Sequence, residues 1–168
     1  MNIFKEIRHI GVIAFISIFL LGCQYGLNIK IIQNNEDKNI SFLIHDKGDS
    51  SGINISSFTV YKCSDIKRRD DQGFYPTPEM SVWRITSKEI KGGNIGSQIK
   101  YGSISNSAIT HIPPKPLANG GCYVVYAGAI DKYGNPRIAT MGFKINTDGT
   151  AFQLNENEYQ KLFKDNKG

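Results

Sequence analysis

Short runs of β-branched and aromatic residues, each ended by a cluster of Asn, Asp, Gly or Ser, recur along this chain and leave few folds open to it. The runs at 27 to 33 (LNIKIIQ), 40 to 45 (ISFLIH), 57 to 63 (SFTVYKC), 81 to 86 (SVWRIT), 97 to 103 (SQIKYGS) and 122 to 130 (CYVVYAGAI) have the residue preferences of strands. A last run, 137 to 147 (RIATMGFKINT), reaches Asp148-Gly149, a dipeptide that favours a hairpin turn, and TAFQL returns from it. About 7 to 8 short strands with evenly spaced turn signals predict an all-β chain folded as an antiparallel β-sandwich. Only the C-terminus reads as helix. Asn155 and Glu158 have the spacing of a capping box, and Tyr159, Leu162 and Phe163 follow on one helical face. Such a helix is expected to cover a sheet edge or an end of the sandwich.

The N-terminus is of another kind. Lys5 and Arg8 precede an apolar run from Ile10 to Leu21, about a dozen residues where a spanning helix needs about twenty, so 1 to 22 reads as a secretory signal peptide. The junction Leu20-Leu21-Gly22-Cys23 resembles the lipobox of bacterial lipoproteins. That resemblance implies cleavage before Cys23, a diacylated and palmitoylated mature N-terminus, and attachment to a membrane. Gln24 stands where the enteric lipoproteins place an inner-membrane retention Asp, which implies the outer membrane, facing the periplasm. The expected organisation is then a signal peptide at 1 to 22, a lipidated N-terminus with a short tether at 23 to 28, and one domain at 29 to 168. Cleavage lowers the formal charge by one unit from the +5 of the whole chain, an excess too small to argue for nucleic acid.

With Cys23 taken by lipid, Cys63 and Cys122 remain as an even pair in an oxidising compartment, and a disulfide between them is expected. Closing a loop of about 60 residues would remove about 4 kcal/mol of denatured-state entropy. The alternative is two buried free thiols. Metal binding is not expected, since no further ligands sit at zinc-like spacing and no calcium-loop pattern occurs.

Leu117, Gly120, Tyr123 and Val125 give L-x-x-G-x-x-Y-x-V, which resembles the tyrosine corner of fibronectin type III and immunoglobulin-like domains. Trp83, the single tryptophan, lies between the two cysteines as in immunoglobulin domains. The resemblance implies an immunoglobulin-like sandwich in which the Tyr123 hydroxyl returns to backbone of the preceding turn.

Catalytic signals are weak, and no enzymatic activity, cofactor or small-molecule substrate is expected. His45 and His111 are far apart, and His111, before Pro113 and Pro114, reads as a loop residue. The stretch from Gly48 to Gly52 matches G-x-S-x-G around Ser50, but a nucleophile elbow must run from strand to helix. Here a strand pattern follows it. No phosphate-binding glycine motif occurs.

The segment from Cys63 to Met80 mixes Asp65, Asp70 and Asp71 with Lys67, Arg68 and Arg69 and contains Gly73, Pro76 and Pro78, so it reads as a long solvated loop. Loops of that length in a compact domain tend to be either functional or disordered. Lys67, Arg68, Arg69, Phe74 and Tyr75 offer the aromatic and guanidinium groups that anchor protein interfaces. The stretch 105 to 116 is a second loop candidate that could join the same patch. The layout is similar to that of the periplasmic immunity lipoproteins of type VI secretion, which implies a protein partner in the periplasm and neutralisation of a secreted toxic effector. A structural or accessory lipoprotein of a secretion system, pilus or other envelope assembly shares the same features.

Overall fold

Each run of β-branched and aromatic residues read as a strand contains one. The chain's structure, a computed structural model, describes residues 26–33, 38–46, 53–66, 68–69, 73–74, 77–89 and 93–164, with backbone alone at 68, 69, 73, 74 and 164. The expected signal peptide, Cys23, Ser50, Lys67 and Tyr75 lie outside the described residues. In chain order the elements are β1 (Leu27–Gln33), β2 (Ile40–Asp46), β3 (Asn54–Lys62), β4 (Arg68–Arg69), β5 (Gly73–Phe74), β6 (Ser81–Ser87), β7 (Gln98–Lys100), β8 (Ala108–Ile112), β9 (Cys122–Ile130), β10 (Pro136–Ile145), β11 (Ala151–Gln153) and α1 (Glu156–Lys164).

Two antiparallel sheets make the sandwich, one ordered β1-β2-β7 and the other β11-β10-β9-β3-β6-β8. Their facing sides bury Ile29, Phe42 and Ile44 from the small sheet against Phe58, Val60, Ile85, Val125, Ala127, Met141 and Phe143 from the large one. The two-residue side-chain period puts these residues on the inner faces. Six aromatic rings run through this core in a continuous contact chain. Tyr101 meets Trp83 with ring centroids 5.0 Å apart, Trp83 meets Phe58 at 5.5 Å, and Phe58 meets Phe42 at 5.1 Å across the sheets. Phe42 meets Phe143 at 5.5 Å, and Phe143 stacks on Tyr123 at 5.4 Å. Each edge-to-face pair adds about 1 kcal/mol beyond the area it buries.

Cys63 and Cys122 form the expected disulfide, with Cα atoms 5.4 Å apart. It joins β3 and β9, which are neighbours in one sheet with Lys62 opposite Tyr123. An immunoglobulin disulfide instead crosses between sheets. The likeness to that family therefore covers the two-sheet architecture and the tyrosine corner, and does not extend to the disulfide.

Helix α1 differs from expectation in its place. Asn155 and Glu158 do form the reciprocal cap, Asn155 N–H to Glu158 Oε2 at 2.9 Å and Glu158 N–H to Asn155 Oδ1 at 3.0 Å. The helix then lies over the outer face of the large sheet, where Phe163, Tyr159 and Leu162 pack with Tyr61, Ile66, Val124 and Tyr126 in a second apolar cluster. Gly142 makes this approach possible, because a Cβ there would stand 2.8 Å from Tyr159 and 2.9 Å from Leu154. Covering that face buries more apolar surface than covering an edge.

Two segments read as loops contain strands. Residues 68–69 and 73–74 pair as the ribbon β4–β5, with Arg68 opposite Phe74. The stretch 105 to 116 contains β8, which pairs with β6 and carries His111. Its exposed positions and short span hide the alternation.

Candidate functional site

The register of the strands gives the sandwich two unlike ends. β1 begins at Leu27 at one end, together with the β9–β10 hairpin at 131–135. Gln33 closes β1 at the far end, where its side-chain amide works like a piece of strand: Nε2 donates to Gly149 O at 3.1 Å and Oε1 accepts from Ala151 N at 2.7 Å. This bridge ties the small sheet to the β10–β11 hairpin. Nothing in the sequence around Gln33 announces it.

At that far end the sheets part to leave a cleft of about 360 Å³, lined by Lys38, Asn39, Ile40, Tyr101, Pro116, Leu117, Asn119, Ile145 and Gly149. Of these, Ile40 and Ile145 are buried and Leu117 half-buried, whereas Lys38 and Asn119 are exposed. That mixture suits a docked apolar side chain with polar contacts around it.

One wall is a single segment held from several sides. Lys115 N–H donates to Val82 O at 2.9 Å, and the Tyr101 hydroxyl donates to Lys115 O at 2.6 Å. Burial pushes the Tyr101 phenol above its ordinary pKa, so it stays a donor at any physiological pH. The Tyr123 hydroxyl accepts from Ala118 N–H at 2.7 Å, which is the tyrosine corner expected from the sequence. Gly121 has to be glycine for this contact, since a Cβ would lie 2.6 Å from that hydroxyl and 2.7 Å from Ala118 O. Gly120 N–H donates to Ile145 O at 2.7 Å and Asn119 Nδ2 to Thr147 O at 3.0 Å. Pro113, Pro114 and Pro116 stiffen the approach to this wall.

The opposite wall includes Lys38, the one described non-glycine residue in the left-handed region, with φ 52. A lysine there is strained by about 1 kcal/mol. Its Nζ donates to Asp148 O, and Gln33 Nε2 donates to Lys38 O at 3.1 Å, so the surroundings hold it in place. The Thr150 hydroxyl and amide both donate to Asp148, and with Lys38 nearby they keep that carboxyl below its ordinary value.

The segment that carries Arg68, Arg69 and Phe74 starts next to the 115–121 wall. Cys63 leaves β3 at the far end, bonded to Cys122, which follows Gly121 directly. From there the chain passes to the ribbon carrying Arg68, Arg69 and Phe74, and returns through the 3-10 turn Pro78–Met80 to β6. The second loop candidate is divided. Its 113–116 part joins the cleft wall, whereas Ser105 and Ser107 bond near Asn94 and Ala108 at the other end.

His45 and His111 lie on different sheets, on β2 and β8, and both are exposed. His111 Nε2 bonds to the Thr86 hydroxyl at 2.8 Å, and neither histidine lines the cleft. No group of three or more His, Cys, Asp or Glu able to hold a metal occurs among the described residues. Comparison with family models, with curated proteins and with solved structures finds no match for this chain.

Proposed function

We propose that this chain is a lipid-anchored binding protein of the bacterial periplasm that performs no chemistry, and that it recognises a protein partner through its far end. The observation that carries this reading is the cleft wall at 115–121. It is pinned before any partner arrives by Tyr101, Tyr123, the Val82 carbonyl and the adjacent disulfide. A preformed wall loses little conformational entropy on binding, so contacts made there go into affinity. The ribbon carrying Arg68, Arg69 and Phe74 springs from the same rigid base, and with Lys67 and Tyr75 it would extend the contact.

The lipid anchor on Cys23 and the outer-membrane address rest on the lipobox resemblance. An immunity role, neutralising a secreted toxic effector, rests on the layout shared with periplasmic immunity lipoproteins. An anchor at the start of β1 supports the binding role, because it would leave the opposite end free in the periplasm.

The test is capture from periplasmic and secreted fractions with the full chain purified from membranes, followed by mass spectrometry of what is retained. Leu117→Arg, which places a charge in the cleft, is the matched control. A single stoichiometric partner held by the wild-type chain and lost by Leu117→Arg is expected, and the chain should then relieve that partner's toxicity. Retention of envelope-assembly components would transfer the weight to a structural role.

A further inference from the structure

The end of the sandwich opposite the cleft carries a second feature. Tyr133, 78 % exposed, and Ile138, 72 % exposed, are the two most exposed large hydrophobic residues of the described chain, and both belong to the β9–β10 hairpin. The turn is braced around Tyr133, and Ile138 is an outward-facing position of β10. Asp131 Oδ1 accepts from Tyr133 N–H at 2.9 Å and from Asn135 N–H at 2.8 Å, while Oδ2 pairs with Arg137 at 3.0 Å. Gly134, at φ 84, closes the turn. Lys132 sets its ammonium 5.3 Å from the centre of the Tyr133 ring.

We propose that this hairpin is a second membrane contact, with Tyr133 and Ile138 seated in the headgroup region of the bilayer whose lipid holds Cys23. The inference rests on the lipid-anchor reading. Leu27 and the hairpin lie at one end of the sandwich, because Gln33, at the other end of β1, is bonded to the β10–β11 turn. Three residues lie between Cys23 and Leu27, and the four steps from one to the other span, even fully extended, no more than about 14 Å. That tether holds the hairpin end within reach of the lipid surface. A tyrosine with an apolar neighbour suits the membrane interface, and a lysine beside it meets lipid phosphate. With the anchor already in place the contact needs little affinity of its own, since its effective concentration at the surface is high. The contact sets the orientation of the domain and turns the cleft away from the membrane.

The experiment uses the full chain, exported in a bacterial host, purified from membranes and reconstituted into phosphatidylethanolamine and phosphatidylglycerol vesicles containing brominated acyl chains. One variant carries Tyr133→Trp and another Thr147→Trp, in the exposed turn at the far end. The native Trp83 is fully buried and supplies a constant background. Tyr133→Trp is expected to lose most of its added emission and shift it to the blue, while Thr147→Trp keeps its emission. Vesicle-bound protein whose Tyr133→Trp indole is not quenched would overturn the proposal, as would equal quenching of both variants. The intact mass of the same preparation reports lipid on Cys23 separately. An acylated chain without quenching loses the hairpin contact and keeps the anchor. An unacylated chain found only in solution loses both.

Discussion

At the scale of single residues, hydroxyls and one carboxylate do most of the positioning. Tyr123 contributes a ring stacked on Phe143 and a hydroxyl that holds Ala118, so Tyr123→Phe keeps the packing and removes only the bond. The variant is expected to lose about 1 kcal/mol in denaturant unfolding, the usual net worth of such a bond. An unchanged midpoint would show that the corner does not hold the wall. Asp131 makes a prediction of opposite sign to a buried acid. Hydrogen bonds from Asn135, then from Arg137 and Tyr133, lower its carboxyl to about 2. The folded value lies below the unfolded one, so the stability it contributes is complete above about pH 4 and is lost as pH falls toward 2. Amide shifts of Tyr133 and Asn135 followed by NMR through that window should titrate near 2. A midpoint near 4 would mean that the clamp is not formed in solution.

At the scale of elements, legibility in the sequence followed length and burial. β2 reads ISFLIHD and alternates buried with partly buried or exposed residues, whereas β3, buried without a break from Phe58 to Tyr61, showed itself through its β-branched and aromatic run, as did the long β9 and β10. The capping box placed the start of α1, whereas its docking face depended on Gly142 in β10, a contact that local periodicity does not carry. β4 and β5 have two residues each, too few to display a period, and β8 is a short edge strand followed by prolines. The disulfide was legible from count and compartment, but its place within one sheet was not. Because it bridges residues 59 apart, replacing both cysteines by serine is expected to cost about 4 kcal/mol in the chain-entropy account. Thermal unfolding of Cys63→Ser with Cys122→Ser would measure this. A loss below about 1 kcal/mol would mean that the linked strands are held without the bond.

At the scale of the whole molecule, the strand register makes the sandwich polar. One end carries the start of β1 and the Tyr133 hairpin, and the other carries the cleft, the Gln33 bridge and the disulfide-rooted ribbon. The sequence pointed to part of this second end, through Arg68, Arg69 and Phe74 and through Tyr123. The cleft itself went unseen because its lining comes from four separated segments, brought together only by pairing across the two sheets. The most direct measurement is hydrogen exchange of the membrane-reconstituted chain with and without its captured partner. The account predicts partner-dependent protection at 38–40, 115–121 and 146–150, with 131–136 unchanged by the partner. Protection confined to 131–138, or to the part of the large sheet that α1 leaves uncovered, would contradict it.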